Sequence, residues 1–186
     1  MRPQVEVVRE LVRGVEPFDD LEAEHRRDTL RWLAGTDDVF RRVRPATPPR
    51  HLVCYVALID PIDRSSLLVD HINAGLWLPP GGHVEPDEHP AHTARREAYE
   101  ELGLDATFVH DPPRPSFLTV TRTVGIDAGH TDVSLWFVVS GTRDMAVTVD
   151  LAEFTEARWW AHREVLAGGS DRFDPHYQRF ISKIAG

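Results

Sequence analysis

The stretch from Gly82 to Leu104, GHVEPDEHPAHTARREAYEELGL, constrains this chain more than any other. Within it Glu97, Glu100 and Glu101 stand at i, i+3 and i+4. On an α-helix those positions share one face, so three carboxylates crowd together. Like charges at that spacing cost stability in an isolated helix. A chain that keeps them either leaves the face in solvent or fills it with a cation. Mg²⁺ fits such a face, because it takes oxygen ligands from one or two carboxylates, with water and substrate phosphate completing its shell. Glu85, Asp87 and Glu88 add further acidity just upstream.

Other features bound the class. A chain of 186 residues suits one domain with an appended element. At 41% hydrophobic and 27% charged, it has an ordinary globular composition. No apolar run approaches ~18 residues, so no membrane span is expected. The opening MRPQVEVVRELVRG lacks a signal peptide's apolar core. Cys54 is the sole cysteine, so no intrachain disulfide forms and a cytoplasmic setting is expected. A net charge of −9 argues against nucleic acid as the main partner. It leaves a small phosphorylated substrate open, because a bound metal inverts the local field. Of the 21 Lys and Arg residues only Lys183 is lysine, which suits a GC-rich bacterial genome and says nothing of mechanism.

Residues 1–48 read as a helical extension. Leu21, Leu30, Leu33 and Ala34 are spaced for a helix that Asp19 or Asp20 can cap and Gly35 can end. Pro48 and Pro49 mark a boundary, with the main domain at 49–186. The extension either packs on that domain or acts as a homodimer arm or a lid. HLVCYVALID and SLLVDH read as strands, LWLPPGG leads into the acidic stretch, and Pro90 opens a helix that Gly103 closes. DATFVH, SFLTVTRTV, TDVSLWFVVSG and EFTEARWWAH read as further strands. A loop covers 125–129, and HREVLAGG and DPHYQRFISKIAG form closing helices. Strands with one central helix and a helical end imply an α+β fold or a sandwich rather than regular βαβ units.

Gly82, Glu88, Arg96, Glu97, Glu100, Glu101, Gly103 and Leu104 together match G-x5-E-x7-R-E-U-x-E-E-x-G-U, where U is bulky and apolar. This resembles the box of the Nudix (MutT-type) hydrolases. Ala98 is the one soft departure, small where the family carries a larger apolar residue. The resemblance extends to roughly residues 50–170 through LVCYVALID and EARWWAHREVL and leaves the N-terminus outside. It implies an α/β/α sandwich with a mixed sheet. It also implies that Glu97, Glu100 and Glu101 hold Mg²⁺ or Mn²⁺ and that Arg96 pairs with Glu88. That pair, with Gly82 and Gly103, would then support the site. Gly81 and Gly82 permit close backbone approach. Glu85 is a further outer candidate for the metal.

The general base is less sharply marked. Glu100 or Glu101 can take a proton from water, and a downstream carboxylate is the other option: Asp127, Asp132, Asp144, Glu153 or Glu156. Asp132, just before the SLWFVV strand, is the preferred one of these. For substrate contacts, Trp77, Phe117, His130 and Trp136 offer rings, each equally at home in a core. Arg114 and Arg122 offer phosphate contacts. Gly81, Trp77 and Arg122 are the expected substrate-binding residues. His83, His89 and His92 invite a zinc reading, but no HExxH or paired cysteines accompany them.

The expectation is therefore a Mg²⁺- or Mn²⁺-dependent hydrolase, with water cleaving a diphosphate linkage in a nucleoside diphosphate derivative. The rival is a Nudix-fold sensor that binds a nucleotide without cleaving it. An isoprenoid diphosphate isomerase would need a cysteine in the pocket, and Cys54 lies too early, in the first strand.

Overall fold

The computed structural model describes residues 3–44, 46–123 and 129–185. Two helices open the chain: α1 (Pro3–Arg13) and α2 (Asp20–Gly35). The strands β1 (Arg50–Asp60), β2 (Ser65–His71), β3 (Leu76–Leu78) and β4 (Gly81–His83) follow, and then α3 (Pro90–Leu102). Next come β5 (Phe117–Arg122), β6 (Thr131–Ser140), β7 (Phe154–Ala161), α4 (His162–Ala167), a 3₁₀ turn over Ser170–Arg172, and α5 (Tyr177–Ala185).

The sheet is mixed. β1 runs parallel to β6 in unbroken register from Arg50↔Thr131 to Ile59↔Ser140. The remaining pairings are antiparallel: β1 with β2 and β4, β2 with β3 and β7, and β5 with β6. Period-two alternation on β1 and β6 then supplies two cores. Leu52, Cys54, Val56, Leu58, Val133, Leu135 and Phe137 face one cluster with α1, α2 and α3. Ala57, Ile59, Trp136 and Val138 face the other, with Trp160, Tyr177 and Phe180. Helices thus cover both faces of the sheet, the α/β/α sandwich expected from the sequence.

The opening helices share the first core. Val5, Val8, Val12, Leu33 and Phe40 are buried in the cluster that contains Leu52 and Leu135. Asp19 caps α2 by accepting the Glu22 N–H at 2.8 Å. Apolar spacing places Leu33 correctly on the inner face of α2 but misplaces the first turn, where Leu21 is 40% exposed while Glu22 is fully buried. The reason is electrostatic. Glu22 accepts the Leu118 N–H on β5 at 3.1 Å and pairs with Lys183 of α5 at 2.8 Å, so its charge is matched. A buried carboxylate here also occupies a donor on an edge strand.

DATFVH is not a strand: Phe108 makes a single bridge to Val139, and the prolines at 112, 113 and 115 end any continuation. His162 begins α4 rather than ending a strand. The LWLPPGG segment, expected only as a lead-in, carries two short strands, β3 and β4.

Candidate active site

β4 and α3 build the site between them. Pro90 occupies the first turn of α3, and the His89 ring nitrogen accepts the Ala91 N–H at 3.1 Å. Gly103 ends the helix in the left-handed conformation, φ 67°, with its N–H donating to the Tyr99 carbonyl at 2.9 Å. The inner face of this helix is not uniformly apolar. Ala94, Ala98 and Leu102 are buried, and so are Glu97 and Glu101.

The three glutamates divide two and one. Glu97 and Glu101, one turn apart, are 7% and 6% exposed, whereas the Glu100 side chain is 56% exposed. Burial pushes the Glu97 carboxyl up to about 7, against the pull of Arg96. Burial, then repulsion from Glu97, pushes Glu101 up to about 9, against the Gly81 N–H that donates to its Oε2 at 2.7 Å. The second oxygens, Glu97 Oε2 and Glu101 Oε1, meet no protein donor among the described residues. A pair of desolvated carboxylates with spare oxygens on a cleft suits a hard divalent cation.

Arg96 is the hub of the cluster. Its Nε and Nη2 grip the two Glu88 oxygens at 3.0 Å each, and Nη1 reaches Glu97 at 2.7 Å and Glu100 at 2.9 Å. Nη2 also donates to the His83 carbonyl at 3.3 Å. Glu88 accepts the Thr93 hydroxyl at 2.7 Å and the Glu85 N–H at 3.2 Å. Burial pushes Glu88 up, but Arg96, Thr93 and Glu85 outweigh it and hold the carboxyl below its ordinary value. The loop, β4 and the helix are thereby fixed by one guanidinium.

Both glycines of β4 leave room that a neighbour occupies. A Cβ on Gly81, at φ +153°, would overlap the Cys54 carbonyl oxygen. A Cβ on Gly82 would overlap the Glu97 carboxylate. Cys54 itself is fully buried, and desolvation raises its thiol well above the ordinary value, so it offers no nucleophile.

A cleft of about 940 Å³ opens over this cluster. Gly81, Gly82, Glu97, Glu100, Glu101, Arg122 and Asp132 all line it, as does Glu85. Trp77 does not. Its ring is 8% exposed and packs edge-on against Trp160 at 5.1 Å in the second core, so packing replaces the substrate contact expected of it. Phe117 and Trp136 are likewise core residues. Asp132 stands with its Oδ1 3.3 Å from the Nε2 atoms of both His51 and His130. Among the other downstream carboxylates Glu153 lines the cleft, and Asp127 lies outside the described residues. Burial, Arg41 and neighbouring imidazoles push His83 down to about 2, which keeps the ring neutral.

Sequence reasoning missed Arg41 and Arg44, which reach the cleft from the segment between α2 and β1. Their only sequence signal is a basic run, FRRVR, just before the prolines. It also missed Asp174, buried in the cleft lining and raised to about 6 by desolvation.

The fold and the box-bearing helix define a class, and the chain belongs to it: the NUDIX domain family, whose model matches residues 49–183. Over 34 residues the chain is 56% identical to an m7GpppN-mRNA hydrolase of Bos taurus. Over 30 residues it is 60% identical to an asymmetrical bis(5'-nucleosyl)-tetraphosphatase of Sus scrofa. Those stretches span 18% and 16% of this chain, and only 11% and 20% of the relatives. Among solved structures, the E. coli dihydroneopterin triphosphate pyrophosphohydrolase superposes with a TM-score of 0.59 at 15% identity, over 80% of this chain and 100% of that one. A binary complex of the C. elegans Ap4A hydrolase gives 0.58 at 16%, over 72% and 94%. A NUDIX-family hydrolase from Clostridium perfringens gives 0.56 at 19%, over 72% and 95%. At these identities the likeness is one of fold.

Proposed function

We propose that this chain is a Mg²⁺- or Mn²⁺-dependent pyrophosphohydrolase acting on a nucleotide-type small molecule. One observation carries the reading: two buried glutamates, Glu97 and Glu101, face a large cleft with raised pKa values and spare oxygens, beside the exposed Glu100. These three side chains would hold the cation. When bound, the ion neutralises diphosphate charge and acidifies water.

The chain's own residues do the rest. Arg96, braced on Glu88, sets the positions of Glu97 and Glu100. The Gly81 N–H orients Glu101. Arg41, Arg44 and Arg122 supply guanidinium groups around the cleft for the phosphate chain. Water attacks one phosphorus and the P–O bond of the anhydride breaks. The water proton passes to a box carboxylate, Glu100 or Glu101, and the leaving group departs as phosphate or a nucleoside monophosphate. Charge stabilisation and positioning dominate such a reaction. We propose that the N-terminal extension packs on the domain through α1 and α2 and completes the cleft wall through Arg41 and Arg44.

The short matches to dinucleoside tetraphosphatase and cap hydrolase support placing dinucleoside polyphosphates and capped nucleotides in the substrate panel, beside nucleoside diphosphate derivatives and triphosphates. The test is release of phosphate or a monophosphate with Mg²⁺ or Mn²⁺, comparing the native chain with Glu100→Gln and Glu101→Gln. Tight nucleotide binding without turnover assigns the chain to the sensor reading instead.

A further inference from the structure

A second constellation forms on the cleft wall. His51 and Asp132 are register partners across the parallel β1–β6 pair. Val53, two residues on, pairs with His83 of β4, so His83 arrives on the other side of the same strand. His130 enters just before β6. The β-sheet register thus gathers side chains from three separate stretches of the sequence: His51, His83, and the neighbours His130 and Asp132.

Their ligating atoms converge. The Nε2 atoms of His51 and His130 are each 3.3 Å from Asp132 Oδ1, and that of His83 is 3.9 Å from it. His83 Nε2 is 3.1 Å from His51 Nε2. One donor atom from each residue lies within 4.8 Å of all the others. Asp132 Oδ1 is buried and yet receives no well-aimed hydrogen bond. His51 is wholly buried, and its Nδ1 is 2.9 Å from the Pro48 carbonyl oxygen. A carbonyl only accepts, so Nδ1 carries a proton there and Nε2 is the nitrogen that faces the cluster. A backbone carbonyl that fixes the distal nitrogen is the usual outer partner of a metal-bound imidazole.

We propose that His51, His83, His130 and Asp132 bind a divalent first-row transition metal ion of the zinc class. Three imidazole nitrogens and one carboxylate oxygen make a four-ligand set for such an ion. They do not suit Mg²⁺ or Ca²⁺, which take oxygen. The site is therefore chemically distinct from the all-carboxylate face of Glu97, Glu100 and Glu101. It also touches the catalytic scaffold. His83 follows Gly81 and Gly82, and its carbonyl accepts Arg96 Nη2. An ion here ties β4 to β1 and β6 and steadies the glycines against which Glu97 and Glu101 rest.

The experiment titrates metal-free, full-length protein with Co²⁺ in excess Mg²⁺, reads the visible d–d absorbance, and then displaces the Co²⁺ with Zn²⁺. We expect one equivalent to bind. His83→Gln and Asp132→Asn, each checked for native circular dichroism, weaken it by more than about 100-fold, since losing a ligand costs more than the 10–100-fold of losing an outer partner. The double variant Glu97→Gln/Glu101→Gln keeps the Co²⁺ spectrum even though it removes hydrolysis, so the two sites fail separately. Folded native protein that binds no Co²⁺ or Zn²⁺ overturns the proposal and leaves a hydrogen-bonded histidine cluster. So does Co²⁺ binding that survives His83→Gln and disappears with the glutamates.

Discussion

Gly82 lies directly against Glu97: a Cβ built on the glycine would stand 2.7 Å from the Glu97 carboxyl carbon. The absent side chain is therefore space that the carboxylate occupies. The obstacle for Gly82→Ala is the far end of a flexible side chain, so the fold survives and Glu97 is displaced. We expect Gly82→Ala to lower kcat by about 100-fold, the cost of misplacing a group by an ångström, with Tm changed by a few degrees at most. Gly81→Ala meets the Cys54 backbone at a positive φ and should lose about 3 kcal/mol or fail to fold. Thermal melts and steady-state kinetics on the two variants check the contrast.

Arg96 holds Glu88, Glu97 and Glu100 together, so its loss should be felt in both stability and activity. Arg96→Ala leaves three carboxylates without their cation and should cost about 2–4 kcal/mol. Arg96→Lys keeps the charge but not the two-pronged grip on Glu88. It should recover most of the stability while kcat stays at least about tenfold down. Urea unfolding beside kinetics separates the two effects.

Metal should matter to the fold as well as to catalysis. Glu97 and Glu101 have folded pKa values raised to about 7 and about 9 from 4.5. The metal-free folded state therefore holds protons that the unfolded chain releases from about pH 4.5. Its stability falls as pH rises through that range toward 9. A divalent cation takes the place of those protons. Tm measured from pH 5 to 9 should decline without metal, flatten with Mg²⁺ or Mn²⁺, and lose its metal response in Glu97→Gln/Glu101→Gln.

On α5, Arg179 grips both oxygens of Asp19, the cap of α2. That contact holds the Asp19 carboxyl at about 2, below its ordinary 3.8. A depressed folded value means that the stability is present above the unfolded pKa and is lost as pH falls from about 4 to 2. The pair is partly exposed, so we expect on the order of 1 kcal/mol. Asp19→Asn should remove this acid sensitivity, and acid unfolding of the two proteins measures it.

The box helix was legible because its rules are local. Pro90 starts it, Gly103 stops it, and i, i+4 spacing puts Glu97 with Glu101 on one face. The same spacing hid the split between them and Glu100, because burial depends on where β4 lies. α2 shows the opposite failure. Leu21 looked like its inner face, but Glu22 is the buried residue, since its partners Leu118 and Lys183 lie about 100 and 160 residues away. Trp77 could equally have been rim or core until β2, β3 and β7 set its neighbours. The histidine cluster was invisible for the same reason. The sequence marks His83, His130 and Asp132 for separate roles and sets His83 beside His89 and His92, whereas register brings His83 to His51 on β1 and to the start of β6.

If the chain is the hydrolase proposed, the buried carboxylates on α3 drive hydrolysis of a phosphoanhydride. The direct measurement is the initial rate of phosphate or monophosphate release with Mg²⁺ across the nucleotide panel, for the native chain and for Glu101→Gln. Turnover of at least one panel member is expected, reduced by about 10³-fold in the variant, the scale of losing a principal charge-stabilising group. Equal rates in the two proteins, or no release from any panel member by folded native protein with Mg²⁺ or Mn²⁺, would contradict the proposal.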